Sequence, residues 1–277
     1  MLYLEHRPHP ALAPFIQSLW YARDPNALHS HQRILPTGRA QVVISLARDY
    51  LTDANHPTNP HAPTPPALFL GVYSVHQHID TIDLAEIIGI SFHPGGTLPF
   101  FPDSTDLFTN RETSLEDLWG TSARSLRDQL RDLPTPTQKF QALEAFLLDR
   151  LQARQHTTRK PTTHPIIHFS LEALHAAPAT TTVAELTRTT GLSPRRLSQL
   201  FREHIGVPPK LYCRILRFQQ AVQQLHTGIE VPWSELALAC GYYDQSHFAN
   251  DFRAFSGLTP TAYTVATRPW SNHLNLD

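Results

Sequence analysis

The sequence predicts an α+β chain in two domains: a β-rich first part carrying a few helices, then a part that is helical throughout. Three observations carry this. Short β-branched runs separated by proline and glycine turns fill the first ~95 residues. From about residue 105 the apolar residues recur every three or four positions instead. A polar, proline-broken stretch, HTTRKPTTH (156–164), then separates the two parts. The expected division is 1–155, a linker at 156–164, and 165–277 including a C-terminal tail.

The β-rich runs are Val42–Leu46, Leu68–Tyr73 and Ile87–Phe92. Turn signals at Pro36-Thr37-Gly38, at HPTNPHAPTPP (56–66) and at His93-Pro94-Gly95-Gly96 separate them. The 56–66 stretch holds too many prolines for a central strand and reads as an exposed connection. Ser114-Leu115-Glu116-Asp117 then opens a helix as a capping box would. Leu126, Leu130 and Leu133 mark one helical face, and Phe140, Leu143, Leu147 and Leu151 mark the next. Those two stripes suit either packing on the β domain or a homodimer interface.

Composition narrows the class. The chain has 277 residues, is 41% hydrophobic and 17% charged, and carries a net charge of −1. The N-terminal stretch is broken by Glu5, His6, Arg7 and prolines, and no apolar run approaches the ~20 residues of a membrane helix, so a cytoplasmic location is expected. Two cysteines, Cys213 and Cys240, make neither a disulfide framework nor a zinc site on their own. Near-neutral charge first argues against a nucleic-acid partner, yet residues 193–217 hold Arg195, Arg196, Arg202, Lys210, Arg214 and Arg217 against one acid, Glu203. Phosphate meets local charge, not the total.

The second part contains a duplication. VAELTRTTGLSPRRLSQLFREHIGVPPKLY (183–212) aligns with WSELALACGYYDQSHFANDFRAFSGLTPTAY (233–263), allowing one extra residue in the second turn. Gly191 matches Gly241, Ser193 matches Asp244, Phe201 matches Phe252, and Gly206, Pro209 and Tyr212 match Gly257, Pro260 and Tyr263. Each copy thus reads as helix, left-handed glycine, N-capped second helix: a helix-turn-helix. At 100° per residue, Leu197, Leu200, Phe201 and His204 fall on one side of the first copy's second helix. Arg195, Gln199 and Arg202 fall on the other. In the second copy Phe248, Phe252 and Phe255 oppose Ser246, Asn250 and Arg253. Arginine can grip guanine bidentately, and glutamine or asparagine can grip adenine. These six are the candidate base readers of double-stranded DNA. Arg196, Lys210 and Gln245 are candidates for phosphate contacts, which position without specifying. A connecting helix at about 209–226, with Leu211, Ile215, Phe218, Val222 and Leu225 as its stripe, would set the units one groove repeat apart, about 34 Å.

Residues 163–265 resemble the AraC/XylS-type DNA-binding domain, most specifically in GYYDQSHFANDFRAFSGLTPTAY (241–263). The resemblance implies control of transcription, more often activation than repression, with RNA polymerase as a further partner and no catalysis. One departure is Thr264, where the family commonly has a basic residue. ILPTG (34–38), SFHPGG (91–96) and LEDLWG (115–120) resemble the N-terminal region of a poorly characterised AraC-like group. That resemblance implies a small cupin-like β-barrel with sensory or dimerisation duties. By the same analogy a small-molecule effector would enter the barrel, with Trp20, Tyr21, Arg33 and Tyr73 as candidate lining.

Two readings compete. His29/His31 and His76/His78 are spaced to share a strand face, as metal ligands do in cupin enzymes. No glutamate follows His31 at a suitable spacing, and 17 histidines make chance pairs common, so no metal or other cofactor is expected. The helices could instead form a protein-binding module. Neither alternative accounts for the duplicated turn and reading face.

Overall fold

The computed structural model describes residues 1–55, 59, 62–101, 104–155, 163–227, 232–266 and 272–275. Ten strands come first: β1 (Leu2–His6), β2 (Ile16–Arg23), β3 (His31–Ile34), β4 (Gln41–Ser45), β5 (Leu51–Asp53), β6 (Ala62–Thr64), β7 (Ala67–Leu70), β8 (Gln77–Asp80), β9 (Ile87–Phe92) and β10 (Glu112–Ser114). Helices α1 (Leu115–Trp119), α2 (Thr121–Asp132) and α3 (Pro136–Gln155) follow. The helical part comprises α4 (Pro165–Ala176), α5 (Val183–Thr190), α6 (Pro194–Ile205), α7 (Pro209–His226), α8 (Trp233–Ala239), α9 (Gln245–Ser256) and α10 (Pro260–Val265). A last strand, β11 (His273–Asn275), ends the described chain.

The main sheet is antiparallel, in the order β1-β2-β9-β4-β7-β10. Its register explains why Val42–Ile44 reads as a continuous apolar run. Leu19, Tyr21, Val42, Ile44, Phe69, Ile88 and Ile90 lie on one face and are buried in one cluster with Leu126, Leu130, Phe140, Leu143 and Leu147 of α2 and α3. The opposite face, with Trp20, Val43, Leu68 and Leu70 beside the polar Gln41, Ser91 and Glu112, lines a cavity, so apolar residues are accommodated there too. The leucine stripes of α2 and α3 are therefore spent inside the chain, which answers the choice between packing and a dimer interface at those positions. Ser114 accepts from the Glu116 amide and caps α1 as expected.

A second sheet, in the order β11-β3-β8, faces the main one. Among the described residues the strands form these two sheets and a β5-β6 ribbon; the expected barrel is thus a pair of facing sheets with no single closed ring. In the 56–66 connection, Ala62–Thr64 pairs with Leu51–Asp53 as a ribbon. Pro63 is tolerated there because a two-stranded ribbon is all edge. Residues 56–58 and 60–61, and most of the expected 156–164 linker, lie outside the described residues.

The tail departs from expectation. It was assigned to the helical domain, yet His273–Asn275 pairs with β3 of the β domain. Leu274 is fully buried, in the cluster of the second helix-turn-helix unit. A three-residue strand flanked by polar residues has too little period to be seen in sequence; its partner strand creates it.

Candidate nucleic-acid interface

Both predicted units form. Thr182 and Glu185 close a capping box at the start of α5, and Gly191 ends that helix in the left-handed region (φ 69°). The Ser193 hydroxyl accepts from the Arg196 amide to start α6, and Asp244 Oδ1 accepts from the His247 amide (2.7 Å) to start α9. Gly241 in the second turn also has positive φ, 77°, and a Cβ there would stand 2.2 Å from the Ala179 carbonyl oxygen. Glycine is thus required twice over, by backbone sign and by space.

The apolar faces are buried as predicted. Leu197, Phe201, Phe248 and Phe252 are fully buried, while His204 is only partly so. Phe252 stacks edge-on with Tyr263, ring centroids 5.2 Å apart. Thr259 caps α10 and Pro260 takes its first turn. The signature from Gly241 to Tyr263 is thus mostly architecture: turn, caps and core.

The six candidate base readers, Arg195, Gln199, Arg202, Ser246, Asn250 and Arg253, are all exposed, as are Arg196, Lys210 and Gln245. Gln199 is engaged within its helix, its amide nitrogen donating to Glu203 Oε1 (2.7 Å). Arg214, counted above with the basic residues, is not free for phosphate. It makes a two-pronged pair with Asp251 of α9 (2.7 and 3.1 Å), which ties the connecting helix to the second candidate reading helix. Hydrogen bonding to that carboxylate raises the Arg214 pKa. Asp251 was missed, though a signal existed: it sits three residues after Phe248 and four before Phe255, and a carboxylate on an apolar face needs a buried partner. Cys213 and Cys240 are buried, which pushes both thiols up, Cys240 to about 11, and keeps them protonated.

Both α6 and α9 are held at their C-terminal ends by the β domain. The last carbonyls of a helix lack internal partners. At α6, Thr105 Oγ1 donates to the His204 carbonyl (3.2 Å) and Thr109 Oγ1 to the Gly206 carbonyl (2.5 Å). At α9, Arg33 Nη1 donates to the Ser256 carbonyl (2.8 Å), a cation at the negative end of the helix dipole. His76 and His78 surround Arg33; burial first, then the Arg33 charge, lowers His76 to about 4. Gln219 of α7 adds a bond to the Pro36 carbonyl.

The candidate lining residues separate. Trp20 lines a cavity of about 350 Å³ between the two sheets. Tyr21, its neighbour on the same strand, points to the helix-covered face and donates to Glu86 (2.9 Å), because successive strand residues alternate. Arg33 likewise faces away, toward α9. Tyr73 is half-buried near Gln77 and Glu112, which line the cavity, but it is not itself in the lining. Of the histidine pairs, His29 bonds Asp80 (2.6 Å) and the His76 and His78 rings lie 5.3 Å apart. No group of three or more potential metal ligands is found among the described residues. No described helix is long and apolar enough to cross a membrane.

Residues 186–265 match the family model described as a helix-turn-helix domain, and residues 4–114 match one described as a domain of unknown function (DUF6597). The C-terminal match is an AraC-type helix-turn-helix domain. It is 34% identical over 86 residues to a probable transcriptional regulator, LumQ, of Photobacterium leiognathi, covering 31% of this chain and 34% of that one. The HTH-type transcriptional regulator CdhR of Pseudomonas aeruginosa is 28% identical over 151 residues, covering 51% and 44%. The chain thus spans less than half the length of these curated relatives. Among solved structures, ToxT of Vibrio cholerae aligns over 95% of this chain and 96% of its own at 9% identity, with a TM-score of 0.42.

Proposed function

We propose that the chain is a sequence-specific DNA-binding transcriptional regulator whose AraC-type domain reads DNA under the control of its N-terminal β domain, the two meeting at 156–164. The observation that carries this is the pair of N-capped helices, α6 and α9, presenting equivalent exposed polar triplets from one connecting helix. Arg195, Gln199 and Arg202 read one half-site, and Ser246, Asn250 and Arg253 the other. Arg196, Lys210 and Gln245 hold phosphate. Gln199 can accept a bond from adenine as it stands, but must release Glu203 to grip adenine bidentately. The hydroxyl and guanidinium caps give the β domain a hold on both reading helices without touching DNA, a route by which a small effector would act. Activation, homodimerisation and contact with RNA polymerase are further parts of this proposal, drawn from the AraC-type resemblance. The metalloenzyme and protein-module alternatives gain no specific support.

Binding-site selection with the full chain tests it. Arg195→Ala and Asn250→Ala are expected to cost about 1–3 kcal/mol at the selected site and to relax specificity at different positions. Lys210→Ala should weaken all sequences alike and flatten the salt dependence. Unchanged discrimination between selected and random DNA in both base-reader variants would remove the assignment.

A further inference from the structure

Three charged side chains, Arg39, Asp83 and Glu112, line the cavity between the sheets around an apolar body. Its floor is set by register. Ser91, Gln41, Leu70 and Glu112 face one another across β9, β4, β7 and β10, and the next row holds Trp20, Gly89, Val43 and Leu68. Gly89 has no room for a side chain: a Cβ would lie 2.2 Å from the Trp20 indole, which lies over it. Trp20 thereby becomes a flat wall of the cavity.

Glu112 sits at one side of this floor. Burial, then the Asp53 and Asp83 charges, pushes its carboxyl up to about 7. Asp83, also in the lining, is occupied by Arg48 (2.8 Å) and the Thr52 amide (2.8 Å). Arg39 lies two residues before Gln41 and lines the cavity with it; Ala40, between them, and Val42, just after, do not line it. Its charge acts on Tyr212, His93 and His175, none of which feels Glu112. Two strand spacings separate Gln41 from Glu112, so the backbones that carry the two charges stand roughly 10 Å apart. Neither Arg39 nor Glu112 has a hydrogen-bond or ion-pair partner among the described residues, whereas the other lining acid is fully engaged.

A guanidinium and a carboxyl that are each half-buried, with no protein partner among the described residues, gain from a ligand that supplies their counterparts. We propose that the cavity binds a small zwitterion, with its carboxylate on Arg39, its ammonium on Glu112 and a flat apolar body between them against Trp20. This deepens the ligand-controlled reading and rests on it for the consequence at DNA, though not for binding itself. The wall opposite is the β11-β3-β8 sheet, whose Ile34, Gln77 and His273 line the cavity while Arg33 on its far side caps α9. An occupant would therefore press on the sheet that holds the second unit.

Calorimetry on the full chain with 4-(aminomethyl)benzoate, 4-methylbenzoate and benzylamine tests this. The zwitterion should bind about tenfold or more tighter than either fragment, the gain expected of one added charge-assisted contact. Arg39→Gln should reduce its affinity to that of benzylamine, and Glu112→Gln to that of 4-methylbenzoate. If Arg39→Gln does not fold, Arg39→Lys, which keeps the charge but loses the planar fork, should still weaken the two carboxylates and spare benzylamine. No saturable binding of any probe at millimolar concentration, or zwitterion affinity unchanged in the folded variants, overturns the proposal. Charge-selective binding that leaves affinity for the selected DNA site unchanged supports the cavity assignment and counts against ligand control.

Discussion

The two helix-turn-helix units are built alike and joined to the β domain differently. In the first, Leu186, Leu197, Phe201 and Tyr212 belong to the same buried cluster as the main sheet and α2–α3. The last carbonyls of α6 are capped by threonine hydroxyls, which carry no charge at any working pH. In the second, Phe218, Phe248, Phe252 and Phe255 form a cluster of their own, which among the described residues draws Leu35 and Leu274 from the β3 and β11 region. Its helix α9 is capped by Arg33, with His76 and His78 alongside. The first unit is thus an extension of the N-terminal core. The second is a separate core attached through a narrow, three-stranded partition. A signal from the β domain that moves this partition would reach the second unit first.

The contrast can be broken most forcefully at the turns. Gly241→Ala should cost about 3 kcal/mol, left-handed backbone strain plus a collision with the Ala179 carbonyl. Gly191→Ala should cost about 1 kcal/mol, because open space surrounds that position and only the backbone sign is penalised. Urea unfolding of the two variants compares them directly; equal losses would mean that the 177–181 loop yields freely. Asp251→Ala comes next, at about 2 kcal/mol. That is below the cost for a fully buried pair because the Arg214 side chain keeps 36% exposure and can turn to water. Its effect should fall on the second half-site in footprinting, with the first protected as before.

Smaller changes sharpen the difference between the joints. Thr109→Val removes one cap from α6 and should cost about 1 kcal/mol at every pH. Arg33→Met should cost a comparable amount but alter protection of the second half-site. The least effect at neutral pH belongs to His76→Gln, and its signature is a slope. The half-buried, neutral His76 resists protonation in the folded chain, so its share of stability is present in full above the ordinary histidine value of 6.5 and is lost as pH falls toward about 4. Thermal unfolding between pH 7 and pH 4 should therefore be steeper in the parent chain than in His76→Gln. Parallel curves would show that the second joint does not sense protons through this residue.

Much of the helical domain was legible because its most specific residues obey local rules. Gly241 needs a positive φ, Asp244 and Thr259 cap the helices that follow them, and Pro260 sits where no amide is needed. The exposed triplets follow from helical period alone. The β domain was legible only in part. The Ile87–Phe92 run is β9, and the Val42–Leu46 and Leu68–Tyr73 runs overlap β4 and β7, whereas short strands such as β3, β8 and β11 have little period of their own. Trp20 and Tyr21 were grouped as lining although alternation on one strand divides them.

By itself the sequence determined the two-part organisation, the duplicated turn-and-helix units, their caps, their cores and their outward residues. All of these depend on contacts within about ten to twenty positions, where period and turn chemistry act. Only the tertiary structure decided that Arg33 caps α9 instead of lining a pocket, that Asp251 neutralises Arg214, and that residues 273–275 extend a sheet begun more than two hundred positions earlier. Those partners are distant in the chain, and nothing in the local pattern of either one names the other.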